Sequence, residues 1–227
     1  MEPKYRHRYL LQKISEYLKQ NNNEGNCFIE SGVKQGSASV VMSKILKKRG
    51  YLFDTWSNFP HFNKIDYTTL KRKQKLQKRV EKGKNTYQEC KDNLISNKVY
   101  KACKMVRGDI LKTVPKFIGK KGENLFISLI HSDSDLYEPT KTTLNLFFPF
   151  LTNGGMVLVH DYQTKQWPGV TKSVDEFVKK KHNLLIHIFK ENVTCSFLIM
   201  KDNHDEYKED FDFLVQYIDN KFPCKTK

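Results

Sequence analysis

The strongest constraint on the fold is a strand, turn, helix and strand that follow one another between residues 27 and 53. Cys27-Phe28-Ile29 is a short apolar run, residues 30–37 form a glycine-bearing turn, residues 37–48 fit a helix, and Tyr51-Leu52-Phe53 is a second apolar run. Two strands joined through a helix form a βαβ unit, whose strands lie parallel in one sheet. This unit predicts an α/β fold with helices packed on a parallel sheet.

The same alternation continues toward the C-terminus. Further strands are predicted at residues 105–106, 125–131, 156–160, 184–189 and 196–200, and further helices at residues 5–20, 139–151, 170–180 and 205–222. The turn Asn153-Gly154-Gly155 is expected to close the helix at 139–151. Five βα units and two closing strands make a doubly wound, mostly parallel, seven-stranded sheet of Rossmann-like type. Ligands of such sheets bind at the carboxyl ends of the strands.

Residues 56–101 interrupt this alternation. They show no strand pattern, and residues 71–84 consist mainly of lysine, arginine and glutamine. We expect a helical lid there, inserted over the sheet. Because no linker or repeat is present, a single domain over residues 1–227 is the simplest count, with an N-terminal helix in its first 25 residues. The basic stretch either meets a phosphorylated or carboxylated acceptor or forms a solvated helical face.

The chain is strongly basic, with 40 Lys and Arg against 25 Asp and Glu and a net charge of +15. Such a charge attracts anionic partners, including nucleic acid. The charge is mostly lysine spread along the whole sequence, a distribution that disfavours nucleic acid as the partner. The N-terminus lacks a signal-peptide pattern and no apolar run approaches the ~20 residues of a membrane helix, so we expect a cytoplasmic protein without membrane contact.

The turn after the first strand carries Glu30, Gly32 and Gly36. Glycines let the backbone pass close to a ligand. The phosphate-binding patterns GxGxxG and GxxxxGK[ST] are absent, and the carboxylate of Glu30 would repel a pyrophosphate. A cationic nucleoside without phosphates fits this turn better. An ordinary βα turn is the alternative interpretation of the two glycines.

Acidic residues also end the second and third strands. Asp54 follows the turn at the spacing where a carboxylate holds ribose hydroxyls, and Gly108-Asp109 ends the third strand, where an adenine ring would lie. Asp54 also suits a helix N-cap or a turn. The three strand ends together predict a nucleoside site.

A second group of polar residues leaves the fourth and fifth strands. Asp133 and Asp135 follow the fourth strand, and His160-Asp161 ends the fifth. Burying unpaired acids is costly unless a cation or donor is present. Neighbouring parallel strands end about 5 Å apart, so Asp133, His160 and Asp161 can converge on one divalent ion.

These segments resemble the macrocin O-methyltransferase family, whose members are metal-dependent S-adenosylmethionine enzymes that methylate sugar hydroxyls. The resemblance extends over residues 27–180, and the segments occur in the family's order. The matching segments are residues 29–37, Leu52-Phe53-Asp54-Thr55-Trp56, Arg107-Gly108-Asp109, residues 131–140, Gly154-Gly155, His160-Asp161-Tyr162 and Pro168-Gly169-Val170.

The resemblance implies a class I methyltransferase fold and a role for each matching residue. Asp135 would be the general base, and Asp133 would act beside it. The metal would be held by Asp133, His160 and Asp161. The cofactor S-adenosylmethionine would be lined by Glu30, Gly32, Gly36, Ser37, Asp54, Gly108 and Asp109.

The sequence departs from the family at one ligand. The family usually has two consecutive acids where this chain has His160-Asp161. A neutral imidazole removes one negative charge and shifts the preference from Mg²⁺ toward Mn²⁺, Fe²⁺ or Zn²⁺. Loss of metal dependence, with His160 acting as a base, is the alternative.

The expected acceptor is a small molecule with a free hydroxyl, such as a sugar. Two alternatives stay open: methylation of RNA or of a nucleotide-linked sugar, which the basic charge favours, and a degenerate cofactor-binding module, which His160 favours. The helix at residues 5–20 is amphipathic. The resemblance implies a homo-oligomer in which this helix would cover a neighbouring subunit's site, as in related enzymes.

Overall fold

The computed structural model describes residues 3–82, 84–190 and 195–221. The strands are β1 (Cys27–Ser31), β2 (Arg49–Asp54), β3 (Cys103–Arg107), β4 (Ile127–Ser132), β5 (Leu151–Tyr162), β6 (Leu184–Lys190) and β7 (Cys195–Lys201). The helices are α1 (Pro3–Gln20), α2 (Ser37–Leu46), α3 (Leu70–Glu81), α4 (Tyr87–Ser96), α5 (Ile110–Lys121), α6 (Tyr137–Phe147), α7 (Pro168–Val178) and α8 (Lys208–Lys221).

The strands form one seven-stranded sheet in the order β3-β2-β1-β4-β5-β7-β6. The first five strands pair in parallel, and β7 runs antiparallel to both β5 and β6. The chain order reverses between β1 and β4, and a crevice opens at such a switch point. The prediction of a doubly wound, mostly parallel, seven-stranded sheet is confirmed.

Helices cover both faces of the sheet and divide its core in two. Leu10 of α1, Met42 of α2 and Leu214 of α8 belong to one buried apolar cluster. The other cluster contains Val114 of α5 and Phe147 of α6. The central strands are buried on both sides, as expected of a parallel sheet, and this rigid layer positions their carboxyl ends.

The structure corrects two predictions in the region between β4 and β5. The helix expected at residues 139–151 is α6, which begins at Tyr137 and ends at Phe147. The expected turn Asn153-Gly154-Gly155 belongs to β5, where the register against β4 shifts and Gly154 has a φ of 68°. The two glycines thus lie at an irregularity within the strand. A sequence pattern does not distinguish such an irregularity from a turn. Phe222 of the last predicted helix lies outside the described residues.

The segment between β2 and β3 contains the helices α3 and α4. Asp66, which precedes α3, is buried and accepts hydrogen bonds from the backbone of Asn63 at 2.8 Å and of Tyr137 at 2.7 Å. Because Tyr137 begins α6, this carboxylate ties the insertion to the element that follows β4. The insertion therefore lies beside the carboxyl ends of the central strands.

The N-terminal helix α1 packs against its own chain. Leu10, Leu11, Ile14 and Leu18 are at most 1% exposed, and they join the cluster that contains α2 and α8. Covering of a neighbouring subunit's site stays a prediction. Within the described part of the chain, each helix is too short or too polar to cross a lipid bilayer.

Candidate active site

The register of the sheet brings Asp133 and His160 together. Ser31 of β1 pairs with Ser132 of β4, and Ser132 pairs with Val159 of β5. Asp133 and His160 each follow these paired residues by one position. The backbone N–H of Asp133 also donates to the carbonyl of Ser31 at 2.8 Å, which holds the end of β4 against β1.

Asp133, His160 and Asp161 form a compact cluster. Nδ1 of His160 lies 3.0 Å from Oδ1 of Asp133 and 3.3 Å from Oδ2 of Asp161. One ligand atom from each residue lies within 4.8 Å of the others, a spacing that suits a shared metal ion. Two carboxylates and an imidazole are also a donor set that divalent transition metals accept. These residues therefore fit a metal.

The charges within this cluster stabilise one another. Burial alone would raise the pKa of Asp133, but the positive charge and hydrogen bond of His160 lower it overall. Burial opposes protonation of His160, but Asp133 and Asp161 outweigh it and raise the pKa of His160 to about 11. The imidazolium thus occupies the position between the two acids that a cation would take. A metal that uses this imidazole must displace its proton.

Asp135 lies beside the cluster in an unusual backbone conformation. Its φ is 66°, and Asp161 has a φ of 62°, so both acids adopt the left-handed region that non-glycine residues rarely occupy. Burial, followed by repulsion from Asp133 and Asp161, raises the pKa of Asp135 to about 8. Nη1 of Arg79 opposes this shift from 3.2 Å away. Asp135 is therefore an unusually basic carboxylate.

The turn between β1 and α2 is built around Gly32 and Asp54. Oδ2 of Asp54 accepts hydrogen bonds from the backbone N–H groups of Val33 at 2.6 Å and Lys34 at 2.8 Å, and Oδ1 accepts from Trp56 at 2.7 Å. A Cβ atom on Gly32 would overlap the carbonyl oxygen of Asp133. The turn is thus fastened both to the end of β2 and to the end of β4.

Asp109 has a comparable structural role at the end of β3. Its Oδ1 accepts a hydrogen bond from the backbone of Leu111 at 3.0 Å and caps the N-terminus of α5. Its Oδ2 lies 4.0 Å from Nδ1 of His61. Asp54 and Asp109 therefore both stabilise local backbone, as the alternative interpretation of Asp54 predicted, while still facing the crevice.

A cavity of about 680 Å³ lies at this edge of the sheet. Its size is typical of a small-molecule site. Trp56, Phe59, Arg79, Lys34 and Trp167 contribute to its wall. The structure brings seven of the predicted site residues to this cavity: Gly32, Asp54, Asp109, Asp133, Asp135, His160 and Asp161.

The other predicted cofactor residues do not line the cavity within the described part of the chain. Glu30 is 1% exposed and hydrogen-bonded to Ser39, because its position in β1 points it into the protein. Gly36 takes a φ of 73° as the residue before α2, and Ser37 begins that helix. Gly108 has a φ of 140° and donates to the carbonyl of Asp54. Backbone geometry accounts for both glycines.

The comparison with protein families agrees with this architecture. The sequence profile of the macrocin-O-methyltransferase (TylF) family matches residues 4–199. The chain belongs to the macrocin O-methyltransferase family. It is accordingly an O-methyltransferase by class, and the resemblance drawn from the sequence segments is confirmed. No curated protein matches the sequence significantly.

Solved structures of O-methyltransferases share the fold of this family member. The O-methyltransferase NovP has a TM-score of 0.71 at 21% identity, over 87% of this chain and 80% of its own. Apo CalS11, a TDP-rhamnose 3'-O-methyltransferase of calicheamicin biosynthesis, gives 0.55 at 21% identity, over 83% and 77%. An O-methyltransferase from Bacillus cereus in complex with SAH gives 0.58 at 9% identity, over 88% and 80%. At these identities the likeness establishes the fold alone.

A buried group of polar side chains lies behind the cluster of Asp133, His160 and Asp161. The sequence analysis did not predict it. The Nε2 atoms of His7 and His131 are 2.8 Å apart, and Nδ1 of His7 is 3.1 Å from Oγ of Ser196. The ring of His7 packs edge-on against His160 at 4.2 Å between centroids. Burial, together with the charges of His160 and His131, keeps the pKa of His7 well below its ordinary value. His7 therefore supports His160 as a neutral ring.

The sequence did contain a signal for His7. Its position is four residues before Leu11 and seven before Ile14, in phase with the apolar stripe of α1. A histidine on a buried stripe needs a polar partner. Which partner it meets depends on how α1 packs on the sheet, and the periodicity does not encode this.

Proposed function

We propose that this family member transfers the methyl group of S-adenosylmethionine to a hydroxyl of a small molecule, a sugar or sugar-bearing metabolite. The observation that carries the proposal is the position of Asp135. A basic carboxylate stands beside the cluster of Asp133, His160 and Asp161, at the wall of a cavity that the β1–α2 turn also lines. A proton acceptor, a cation-type site and space for a nucleoside thus share one crevice.

In this proposal Asp133, His160 and Asp161 hold a divalent ion. When bound there, such an ion supplies Lewis acidity that lowers the pKa of a nearby hydroxyl. The carboxylates suit Mg²⁺, and the imidazole favours Mn²⁺, Fe²⁺ or Zn²⁺. The short distances from His160 to both acids support a cation at this point.

Asp135 acts as the general base. The acceptor hydroxyl gives its proton to this carboxylate, the acceptor oxygen bonds to the methyl carbon, and the carbon–sulfur bond breaks with its electron pair leaving on sulfur. A general base works best when its pKa lies near the working pH, and burial with two neighbouring acids moves the pKa of Asp135 toward that range, to about 8. The remaining task of the chain is to position and desolvate two reactants.

The methyl donor would occupy the part of the cavity lined by Gly32, Asp54 and Asp109. Carboxylates accept hydrogen bonds from ribose hydroxyls and from an ammonium group. Asp54 already accepts two backbone bonds at Oδ2 and one at Oδ1, so the remaining lone pair of Oδ1 is the acceptor for a ribose hydroxyl. Trp56, which is 1% exposed and lines the same part, supplies an apolar wall for an adenosyl group.

A sugar acceptor is supported by the family and by one structural neighbour. The matching family is described as a macrocin O-methyltransferase family, and CalS11 is described as acting on TDP-rhamnose. The cavity also contains the aromatic side chains Phe59 and Trp167, which suit the apolar faces of a sugar ring.

Two measurements test the proposal. Calorimetry with S-adenosylmethionine, with and without divalent ions, measures binding of the donor, and release of S-adenosylhomocysteine measures turnover. We expect binding of the methyl donor without metal and turnover only with it. Asp135→Asn should keep the affinity for the donor and lose turnover by about 10²–10⁴-fold, the usual contribution of a general base. Failure of the wild-type protein to bind the donor would contradict the proposal, and full activity of Asp135→Asn would remove the assigned base.

A further inference from the structure

Helix α3 turns two arginines and one leucine toward the protein. Arg72, Leu76 and Arg79 are spaced by four and three residues, so they share one face of the helix. Leu76 is fully buried in the core cluster that contains Phe147. Lys71 and Lys78 point away from this face and are exposed.

Aromatic rings hold both guanidinium groups in place. Cζ of Arg72 lies 4.0 Å from the centroid of Trp167. Cζ of Arg79 lies 5.3 Å from the centroids of both Trp167 and Phe59. A guanidinium over an aromatic ring is oriented as well as attracted. The planar donors therefore have fixed directions beside the cavity.

The hydrogen-bonding capacity of this pair is mostly unused. Nη1 of Arg79 contacts Oδ2 of Asp135 at 3.2 Å. Nε and Nη2 of Arg72 are buried and have no hydrogen-bond partner among the described residues. Buried donors without partners cost free energy, so a ligand that satisfies them gains affinity.

The positive charges of Arg72 and Arg79 also act on each other. Burial, followed by the charge of Arg79, lowers the pKa of Arg72, whereas Asp135 and Asp161 raise it. The two arginines are thus close enough to repel each other. An anion between the arginines would offset this repulsion and would accept hydrogen bonds from the unpartnered donors of Arg72.

We infer that Arg72 and Arg79 form an anion subsite for the acceptor, which therefore carries a phosphate or carboxylate group as well as its hydroxyl. This inference rests on the proposed function. Guanidinium groups match both oxyanions with paired donors. Lys34 and Lys84, which line the same cavity, add positive charge on the acceptor's approach.

Titration of the protein with inorganic phosphate and with acetate, free of divalent ions, tests the subsite by NMR or calorimetry. We expect both Arg72→Gln and Arg79→Gln to weaken binding of the preferred anion at least tenfold. The matched control is Lys78→Gln, which removes an equal charge from an exposed position pointing away from the arginines on the same helix and should bind like the wild type. Thermal melts establish whether each variant is folded. If Arg72→Gln does not fold, Arg79→Gln carries the test, because the side chain of Arg79 is half exposed.

Phosphate and acetate distinguish the two classes of acceptor. Tighter binding of phosphate assigns a phosphorylated acceptor, and tighter binding of acetate a carboxylated one. No binding of either anion at tens of millimolar, or equal losses in Lys78→Gln and the arginine variants, would overturn the inference. Calorimetry with S-adenosylmethionine on the same samples separates the two claims: donor binding without an anion site refutes the subsite alone, and absence of donor binding refutes the proposed function itself.

Discussion

At the scale of single residues, neighbouring groups decide what each aspartate can do. The carboxylate oxygens of Asp54 accept hydrogen bonds from backbone N–H groups, and Asp133 contacts an imidazole. Asp135 lies near two acids and one guanidinium. The same side chain thus has a different environment at each position, and under the proposed function it would serve as a structural acceptor, a metal ligand or a base according to the charges within a few ångströms.

We expect Asp133→Asn to lower the affinity for Mn²⁺ at least tenfold, which is about 1.4 kcal/mol, and to reduce turnover by several orders of magnitude. The substitution removes a negative charge from the cluster and leaves His160 paired with Asp161 alone. Electron paramagnetic resonance of Mn²⁺ measures the binding. Asp92→Asn, an exposed change in α4, is the control. Unaltered Mn²⁺ affinity in Asp133→Asn would contradict the assigned ligand.

At the scale of elements, the β1–α2 turn and the end of β4 form one unit. Gly32 has a φ of 85°, its N–H donates to the carbonyl of Phe53 at 2.9 Å, and its Cα lies against the backbone of Asp133. A turn that lines the donor part of the cavity thus also determines where the cluster's first carboxylate lies.

Gly32→Ala should destabilise the protein by at least about 2 kcal/mol, because the added Cβ requires both a strained φ and displacement of the β4 backbone. Gly119→Ala is the matched control. Its Cβ would meet no atom within 4 Å in α5, so we expect it to be neutral or to stabilise by about 0.5–1 kcal/mol. Urea denaturation measures both. Equal stabilities of the two variants would show that the turn is not fastened to β4 as described.

At the scale of the whole molecule, the net charge of +15 coexists with an acidic crevice. The lysines are spread over the chain, whereas five aspartates converge on one cavity: Asp54, Asp109, Asp133, Asp135 and Asp161. A diffuse positive surface attracts polyanions without selecting a sequence. The arginine pair, by contrast, offers a defined position for one anionic group.

We therefore expect RNA to bind weakly and to be released steeply as salt rises, with no methyl transfer from labelled S-adenosylmethionine. Filter binding across a salt series, with counting of methylated RNA, provides the measurement. Salt-resistant binding with methylated RNA would favour the nucleic-acid alternative. Under the inferred arginine subsite a nucleotide-linked sugar is the remaining form of this alternative, since it brings phosphate and hydroxyl together.

The sequence by itself determined the sheet and the convergence of the acids. Parallel strands end at one edge of a sheet, so Asp133 and His160 had to meet once their strands were neighbours. The positions of Asp54 and Asp109 in the sequence also predicted that these acids lie at the ends of β2 and β3. These inferences needed only the order of the strands and the period of each.

Only the tertiary structure decided the contacts between distant segments. The pairing of Arg79 with Asp135, the packing of His7 against His160 and the burial of Glu30 depend on where helices and side chains settle on the sheet. An amphipathic pattern specifies which face of a helix is buried but leaves its partner open. For that reason the sequence located the acids of the crevice, and the folded chain revealed the arginines and the histidine around them.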